Sequence, residues 1–530
     1  MVNLEPAGRP QDLDNRDRAA LFALAGEQAF DVVVIGGGIS GAGIARSAAA
    51  RGLTVALVEA RDLASGTSSR SSKMLHGGLR YLAQGDVGLV RDAARERQVL
   101  RRIAPHLTRR TGFVLPTRSA AGLATFRSAM WTYEKLGRVP DEDRHEVWGL
   151  DDLIAREPLS AVDGTKGAVR YIEFVTDDSR LTLANARSAA ADGALILTYA
   201  PAVAFVTDGG RVVGVEVEGA LDGESLHATL AADVVVNAAG PWVDAVRALE
   251  DPDRAARLGI TRGIHLVVPH DRLPLNDTVL MTALDKRGVF AVPRGDVTYL
   301  GTTDTFHPGA EWWPEFGRDD VDYLLAAANR SFAIDPLTDA DIIGSWSGVR
   351  PLISEPGKKP SEISRRDEIW TGPGGVLTVA GGKLTAYRSM AERVVDQVAD
   401  LVDATTRPGK TDERPLVGGE ATITAPDRLA DLYGTEADDV RTDGGEVAAE
   451  VRQAVLREGA VRLEDYWVRR VPRAFFDLDG GLAALEPAAT EMARLLDWSP
   501  ATRQQELDAC RRRHDADHAL FATEGNPRAH

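Results

Sequence analysis

The feature that most constrains the fold is a glycine-rich turn between two short apolar segments near the amino terminus. Residues 30–59 read FDVVVIGGGISGAGIARSAAARGLTVALVE. Residues 31–35 are rich in β-branched side chains, which favours a buried parallel strand. Small residues as far as Ala50 predict a helix, and residues 53–58 predict a second strand. This order of strand, turn, helix and strand is typical of a nucleotide-binding α/β fold.

The glycines of this turn have the spacing of a dinucleotide site. Gly36, Gly38 and Gly41 occupy the three positions of the pattern G-x-G-x-x-G. In that pattern the first glycine makes the turn, the second lets backbone approach a pyrophosphate, and the third lets the helix pack on the strand. Glu59 ends the second strand, where an acid can bind ribose hydroxyls and disfavours the phosphorylated ribose of NADP. The turn therefore predicts dinucleotide binding and leaves both FAD and NAD open.

Composition excludes several other classes of protein. A chain of 530 residues with 44% hydrophobic content is long enough for more than one domain. A single cysteine, Cys510, allows neither a disulfide framework nor a thiolate metal site, and we expect no metal. The net charge of −17 argues against a nucleic-acid partner. No uncharged apolar segment reaches about 18 residues and the first residues are too polar for a secretory signal, so we expect a cytoplasmic protein.

Two later segments repeat the pattern of a strand followed by a glycine turn. AADVVVNAAGPWVD, residues 231–244, ends a strand at a turn formed by Ala239 and Gly240. Near residue 380, GGVLTVAGGKLTAYR predicts a strand, a turn at Gly381 and Gly382, and then a helix with Lys383 in its first turn. A helix amino terminus presents free backbone N–H groups and can stabilise negative charge on a ligand.

Seven ordered motifs carry a family resemblance. They are VVVIGGGISGAGIA, SSKMLHGGLRYL, NAAGPWVD, TRGIHLVVP, YLGTTDT, WSGVRPL and GGKLTAYR, and they span residues 31 to about 395. The chain resembles the FAD-dependent glycerol-3-phosphate dehydrogenases, the aerobic, quinone-linked enzymes. The C-terminal part matches more loosely, through EVRQAVLREGAVRLEDYWVRR. The resemblance implies that FAD is the cofactor and that sn-glycerol 3-phosphate is oxidised to dihydroxyacetone phosphate, with electrons passed to a membrane quinone.

The resemblance also implies a phosphate clamp. Several positive donors are needed to hold a dianionic phosphate ester at a fixed angle. The family positions fall on Arg80 and Tyr81 in the motif SSKMLHGGLRYL, on Arg366 and on Lys383. Arg365 precedes Arg366 and makes the register ambiguous. We assign the clamp to Arg366, because the family pattern has one arginine before the aspartate.

Two residues are candidates for the chemical step. The alcohol must lose a proton as hydride leaves its carbon, which requires a base near the hydroxyl. His265, in GIHLVVP, is the best candidate by side-chain pKa, and its structural alternative is a histidine satisfied within the core. Arg350, in SGVRP, would stabilise the developing alkoxide by charge, since arginine stays protonated.

The remaining candidates are assigned to the cofactor. Ser71, Ser72 and Lys73 are candidate donors to its pyrophosphate or pyrimidine edge, and the pair Gly77 and Gly78 fits close passage of backbone along a flat ring. The full set of candidate cofactor-binding residues is Gly36, Gly38, Ser40, Gly41, Glu59, Ala60, Ser72, His76, Gly77, Ala239, Gly240, Gly382, Leu384 and Thr385.

Residues 91–137 allow two interpretations. Residues 91–110 carry seven arginines, and Leu123, Phe126, Met130 and Tyr133 recur at helical spacing. These segments could form a basic, aromatic surface that rests peripherally on the inner face of the cell membrane, where a quinone would be reached. They could equally form amphipathic helices packed on the core.

We predict an α/β fold of amino-acid-oxidase-like, two-domain architecture. A Rossmann-like FAD-binding domain (30–110, 165–250 and 345–406) is interleaved with an antiparallel-sheet substrate domain (111–164 and 251–344). Residues 1–29 form an N-terminal arm, and residues 407–424 read as a linker. Residues 425–530 form a C-terminal helical domain, which could join two chains in a homodimer.

Three other functions remain open from the sequence. A glycerol-3-phosphate oxidase would pass the electrons to oxygen and make hydrogen peroxide, but such relatives typically carry an extra internal segment that this chain lacks. An amino-acid oxidase would need an arginine clamp but fewer positive groups. A flavin-binding scaffold without turnover would have no need for Arg80, Lys383, Arg350 and His265 together.

Overall fold

The computed structural model describes residues 9–77, 87–137, 139–354, 367–402, 404–421, 427–441 and 445–521. In this part of the chain, two large β-sheets lie beside each other, and helices cover the first sheet and form the C-terminal part. The predicted α/β fold class with a C-terminal helical region is therefore confirmed.

The strands are numbered in chain order. They are β1 Ala29–Ile35, β2 Val55–Val58, β3 Met74–Leu75, β4 Arg109–Thr117, β5 Glu146–Gly149, β6 Gly167–Val175, β7 Leu195–Leu197, β8 Ala202–Asp208, β9 Arg211–Glu218, β10 His227–Asn237, β11 Leu258–Pro269, β12 Thr278–Thr282, β13 Gly288–Arg294, β14 Val297–Gly301, β15 Thr305–Phe306, β16 Gly344–Ile353, β17 Glu368–Thr371 and β18 Leu377–Ala380.

The α-helices of the described residues are numbered in the same way. They are α1 Arg18–Glu27, α2 Ile39–Ala50, α3 Val87–Ile103, α4 Ala120–Gly137, α5 Leu150–Arg156, α6 Asp178–Ala191, α7 Val243–Glu250, α8 Arg318–Ser331, α9 Tyr387–Leu401, α10 Arg428–Tyr433, α11 Ala437–Val440, α12 Glu446–Leu456, α13 Arg473–Phe476, α14 Leu482–Leu496 and α15 Pro500–His518.

The first sheet places three glycine turns at one edge. Its strand order is β17-β18-β10-β1-β2-β7, and β1 runs parallel to β10 and β2. Val34 of β1 lies beside Val236 of β10 and Leu57 of β2. Because β1, β10 and β18 are parallel, their carboxyl ends meet at the same edge, which is where ligands bind in such sheets.

Small side chains allow α2 to pack closely behind this sheet. Residues 41–50 of the helix are all buried, and they contact α6 and α9 as well as β1 and β2. A Cβ added to Gly43 would lie 2.8 Å from the ring of Tyr387. The layer also contains Val34, Val236 and Val394, and each fully buried aliphatic side chain stabilises the fold by about 1.5–3 kcal/mol.

The second sheet is mainly antiparallel. Its strand order is β15-β11-β14-β13-β12-β4-β6-β3, with β16 beside β11 and β5 beside β6. β11 lies between β14 and β16, and His265 of β11 is paired with Gly301 on one side and with Trp346 on the other. This register fixes the position of His265 between two neighbouring strands, β14 and β16.

The predicted domain boundaries differ from the sheets at three strands. β3, β6 and β16 pair within the second sheet, although they lie in the ranges 30–110, 165–250 and 345–406 that the sequence assigns to the FAD-binding domain. Buried strands have the same apolar pattern in either sheet, so the sequence does not show which sheet they join. Within the described ranges, no helix is both long and apolar enough to cross a membrane.

Candidate active site

A large cavity lies where the two sheets meet. Its volume is about 1590 Å³, and its wall includes Ile35 and Val379 of the first sheet with Leu115 and Phe290 of the second. Pockets for drug-sized ligands measure about 300–1,000 Å³. The cavity can therefore hold a ligand larger than a drug-sized molecule.

The amino terminus of α2 opens into this cavity. Gly38, Ile39 and Ser40 line the wall, and the backbone N–H of Ile39 donates to Ser68 Oγ at 2.9 Å. Gly36 has a φ of +112°, and a Cβ there would lie 2.6 Å from the carbonyl oxygen of Ala238. Only glycine fits this turn, and the exposed helix terminus suits a pyrophosphate.

Glu59 stands beside the turn, as the sequence predicts. It lines the cavity, and its Oε2 accepts from the backbone N–H of Gly37 at 2.6 Å, while Oε1 accepts from that of Arg61 at 2.9 Å. Burial raises the pKa of Glu59 above its usual range, and the two backbone hydrogen bonds oppose that effect. Each carboxylate oxygen can accept a further hydrogen bond, so the group can still bind ribose hydroxyls.

The other two glycine turns line the same cavity. Ala239 and Gly240 follow β10, and Gly382, Leu384 and Thr385 follow β18. Ala60, Ser72 and His76 are in the wall as well. Thr385 Oγ1 donates to the carbonyl oxygen of His76 at 3.3 Å, which joins two distant motifs of the sequence.

His265 is held in a rigid slot behind the wall. Its ring stacks on Trp346, with centroids 4.6 Å apart and an interplanar angle of 13°. On its other side, a Cβ added to Gly301 would lie 2.0 Å from Cδ2 of the imidazole. The imidazole is 1% exposed and reaches the cavity through Ser72, whose Oγ lies 2.8 Å from Nε2.

The surroundings of His265 keep its ring neutral. Burial lowers its pKa well below the usual value, and the positive charges of Arg350 and Lys73 lower it further. Among the described residues, Nδ1 has no hydrogen-bond partner. A neutral imidazole whose Nε2 faces a hydroxyl can accept a proton from that hydroxyl.

Arg350 of β16 lines the cavity and contacts the residues that follow β14. Its Nη2 donates to Thr302 Oγ1 at 2.7 Å, and its Nη1 donates to the carbonyl oxygen of Thr303 and to Asp304 Oδ1, both at 3.2 Å. Thr302 and Asp304 also lie in the wall. The carboxylate orients a guanidinium that faces the ligand space.

One of the four phosphate candidates can be placed. Lys383 lines the cavity and precedes the short turn that leads into α9. Arg80, Tyr81 and Arg366 lie outside the described residues. Their roles stay predictions.

Three predicted cofactor contacts have a different place in the structure. Gly41 lies behind the wall, where its Cβ would be 1.8 Å from the carbonyl oxygen of Gly36, so it shapes the turn from the helix side. Gly77 packs on Tyr133, whose hydroxyl would lie 1.9 Å from its Cβ. Lys73, predicted as a donor to the pyrophosphate or the pyrimidine edge, does not line the cavity and is instead fully buried in an ion pair with Asp178 at 2.5 Å.

Much of the 91–137 region packs on the core. Arg97 is buried and donates to Glu173 at 2.5 Å and to the hydroxyl of Tyr133 at 2.9 Å. Met130 and Tyr133 of the predicted stripe are each 1% exposed. Trp131 is 58% exposed on the outer side of α4. The apolar stripe thus serves packing, and Trp131 is the exposed aromatic residue of that helix.

Sequence reasoning missed a polar and aromatic edge of the cavity. Arg70 lines the wall, donates to the carbonyl oxygens of Ser65 and Trp312, and stacks on Trp313 at 3.5 Å. Burial lowers the pKa of Arg70 to about 9. Trp312 stacks on Trp242 with centroids 3.7 Å apart. The polar segment SSRSS could have drawn attention to Arg70, but the tryptophan pair depends on contacts between distant segments.

The residues present fit FAD. A helix terminus for the pyrophosphate, an acid for the ribose and three glycine turns for close approach of a flat ring share one cavity. Lys383, Leu384 and Thr385 begin a further helical segment at the same edge, where partial positive charge can stabilise a reduced ring.

Comparisons with protein families cover both parts of the chain. The model of FAD-dependent oxidoreductases matches residues 31–388, and the model of the C-terminal domain of alpha-glycerophosphate oxidase matches residues 409–503. The chain is 38% identical over 513 residues to the aerobic glycerol-3-phosphate dehydrogenase of Staphylococcus aureus (strain USA300), across 89% of this chain and 92% of the relative.

Two solved structures have a similar fold. The glycerol-3-phosphate dehydrogenase from Bacillus halodurans, complexed with FAD, matches with a TM-score of 0.80 and 32% identity, over 96% of this chain and 99% of that chain. The L-alpha-glycerophosphate oxidase from Mycoplasma pneumoniae, with FAD bound, matches with a TM-score of 0.56 and 16% identity, over 73% and 99%. At that identity the second match supports the fold alone.

Proposed function

Because the chain belongs to the family of FAD-dependent glycerol-3-phosphate dehydrogenases, we propose that it oxidises sn-glycerol 3-phosphate to dihydroxyacetone phosphate and passes the electrons to a membrane quinone. The observation that carries this proposal is the shared cavity. The cavity is lined by the dinucleotide turn, Ser72, Arg350 and Lys383, and His265 contacts Ser72 from behind the wall.

The substrate would be held at its phosphate end by positive charge. Lys383 is in the wall, and the family positions add Arg80, Tyr81 and Arg366. A dianionic phosphate gains more from such donors than a carboxylate does, since it offers three acceptor oxygens and almost two charges. This clamp would discriminate the phosphate ester from free glycerol.

Proton removal would run through Ser72 to His265. Bound FAD supplies the acceptor for the hydride that leaves the carbinol carbon. The hydroxyl proton of the substrate passes to Ser72 Oγ as the proton of Ser72 passes to Nε2 of His265, which lies 2.8 Å away. Arg350, oriented by Asp304, stabilises the developing alkoxide by charge.

The exposed side of α4 supports a quinone as the acceptor. Ala124, Phe126 and Ala129 of this helix line the cavity, while Trp131 on the outer side is exposed. An exposed tryptophan next to a basic side chain, here Lys135 at 5.0 Å from its ring centroid, suits the interface of a membrane. A quinone at that surface would be close to an apolar wall of the cavity.

Substrate discrimination tests the clamp. Lys383→Met and Arg80→Ala should each raise the KM for sn-glycerol 3-phosphate roughly 10- to 100-fold, because a charge-assisted hydrogen bond contributes about 1.5–3 kcal/mol. FAD content should not change. Lys410→Met is the matched control, since the Lys410 side chain is 63% exposed and pairs with Glu413. Equal rates for glycerol and sn-glycerol 3-phosphate in the wild type would reject the clamp.

The alternative function is a glycerol-3-phosphate oxidase. After anaerobic reduction by substrate, the protein is mixed either with a soluble quinone analogue or with air-saturated buffer. We expect rapid reoxidation by the quinone and slow release of peroxide in air. Fast stoichiometric peroxide formation with no response to quinone would favour the oxidase.

A further inference from the structure

The C-terminal helical part holds the loop that follows β2. We propose that Arg469 and Arg470 act through Asp62 to hold the cofactor loop, defined as residues 59–66, in the shape that binds the ribose and pyrophosphate of FAD. The cavity is lined by residues between Ile35 and Met390, so within the described ranges these arginines act from outside it. This inference rests on the proposed placement of FAD.

The cofactor loop leaves and re-enters the cavity. Glu59, Ala60, Ser65 and Gly66 line the wall at its two ends. Between them, Asp62 turns away from the cavity and is 0% exposed. A shift of Asp62 would therefore move both wall-forming ends of the loop.

Two guanidinium groups enclose the carboxylate of Asp62. Oδ2 accepts from Arg469 Nε and Arg470 Nη1, both at 2.5 Å, and Oδ1 accepts from Arg470 Nη2 at 2.7 Å. Burial by itself would raise the pKa of Asp62, but the two arginines outweigh burial and hold it below its usual range. The contact is thus a set of charge-assisted hydrogen bonds from two guanidinium groups to one ionised carboxylate, and its geometry is fixed.

The two arginines are themselves fixed from the C-terminal side. Arg469 donates to Glu464 and Asp465, each at 2.7 Å. Arg470 donates from Nε and Nη2 to the carbonyl oxygen of Glu458, at 3.0 and 2.8 Å. Both lie in the π-helical turn Asp465–Arg470, a geometry often found at functional sites.

The same turn braces the cofactor loop along a second path. Asp465 Oδ1 accepts from the hydroxyl of Tyr199 at 2.6 Å. The backbone N–H of Tyr199 donates to the carbonyl oxygen of Arg61 at 2.7 Å, and that of Ala200 donates to Glu59 at 2.8 Å. The C-terminal part therefore reaches both Glu59 and Asp62.

Other ion pairs join the C-terminal part to α6 without touching this loop. Arg180 donates to Glu458 at 2.6 and 2.8 Å, and Arg187 donates to Glu436 at 2.5 and 3.1 Å. Neither arginine lines the cavity. These pairs attach the C-terminal helices to α6. A substitution at one of them therefore tests the effect of weaker attachment without a change at the cofactor loop.

The experiment compares FAD affinity with stability in the full-length chain. Asp62→Asn and Arg470→Lys are prepared as apoprotein, titrated with FAD by flavin fluorescence, and melted with and without FAD. We expect the Kd for FAD to rise on the order of tenfold, a usual scale for coupling between linked sites. The gain in Tm on adding FAD should shrink accordingly, because the stabilisation of the native state by a bound ligand grows with the logarithm of its affinity.

Arg187→Lys is the matched control. The arginine is buried at the same interface and the substitution is the same, but it lies away from the cofactor loop. It should lower the Tm of apoprotein and holoprotein equally and leave the Kd unchanged.

Two outcomes would overturn the proposal. One is an unchanged Kd in Asp62→Asn or Arg470→Lys while both Tm values fall together. The other is an equal rise in Kd for Arg187→Lys. If Asp62→Asn does not fold, Arg470→Lys provides the same comparison of Kd with Tm. Lysine keeps the positive charge but cannot make the two parallel hydrogen bonds of a guanidinium. A wild type that binds FAD but does not oxidise sn-glycerol 3-phosphate would reject the proposed function and leave this inference intact.

Discussion

At the scale of single residues, His265 is defined by what surrounds it. Trp346 and Gly301 fix its ring from both sides, and Ser72 is its contact toward the cavity. Burial and the charges of Arg350 and Lys73 keep it neutral. The ordinary pKa of histidine predicts His265 as the base, but its position behind a serine depends on the pairing of β11 with β14 and β16.

Replacing His265 by asparagine tests its role in the chemical step. His265→Asn should slow anaerobic flavin reduction about 10²- to 10⁴-fold, the range for loss of a general base, and change the substrate KM little. His270→Asn is the control, because His270 directly follows the same strand and contacts Thr298. Stopped-flow absorbance measures both. An unchanged reduction rate in His265→Asn would remove it as the base.

A second buried histidine predicts how stability depends on pH. Burial and the charge of Arg180 lower the pKa of His106 to about 3, and the pKa of His265 is shifted in the same direction. Above pH 6.5 both folded and unfolded chains hold these rings neutral. As pH falls below 6.5 the unfolded chain takes up protons that the folded chain does not, so stability is lost toward pH 3.

The size of this loss can be measured with one variant. Each histidine should cost up to about 1.4 kcal/mol of unfolding free energy per pH unit in that window. His106→Gln should therefore lose less stability than the wild type between pH 6.5 and 5.5 in urea unfolding. Equal slopes for the two proteins would show that His106 does not contribute.

At the scale of elements, the glycine turn between β1 and α2 is the part of the fold that the local sequence determines most fully. The strand, the three glycines and the helix follow from residue types alone, and β1, α2 and β2 lie where the sequence predicts them. The hairpin of β8 and β9 turns at Gly209 and Gly210, which both have positive φ, so this turn too is determined by local residue types. In contrast, β6 and β16 join the second sheet because of pairing with distant strands, which no local pattern encodes.

Gly41→Ala tests this element. The added Cβ would meet the backbone oxygen of Gly36 at 1.8 Å, and backbone cannot rotate away as a side chain can. We expect about 1–3 kcal/mol of destabilisation and loss of bound flavin, measured as the flavin-to-protein ratio and the Tm. Gly26→Ala, also in a helix, should be tolerated, because its Cβ would come no closer than 3.9 Å to Ala228. Full flavin content in Gly41→Ala would contradict this account of the turn.

At the scale of the whole molecule, the site depends on three parts of the chain meeting. The candidate chemistry lies between the sheets, and the C-terminal helices hold the cofactor loop from behind. The motifs pointed to the cofactor and identified the glycine turns of the wall, because such turns and their neighbours are local. Arg70, the Trp242 and Trp312 stack and the contacts of Asp62 arise from tertiary packing, and the sequence alone did not reveal them.

Membrane contact is a prediction at the same scale. If α4 rests on a bilayer, wild-type protein should sediment with vesicles that contain anionic lipid, and Trp131→Ala should lose most of that binding. Phe306→Ala is the matched control, since Phe306 is 59% exposed and Trp131 is 58% exposed. Equal sedimentation of the two variants would place the contact elsewhere.

The central claim is that this chain oxidises sn-glycerol 3-phosphate with its own FAD. The most direct test is to add sn-glycerol 3-phosphate to the purified yellow protein without oxygen and follow the flavin absorbance. We predict that the absorbance of the oxidised flavin falls after sn-glycerol 3-phosphate is added and that glycerol leaves it unchanged. A flavin that stays oxidised with sn-glycerol 3-phosphate would contradict the proposed function.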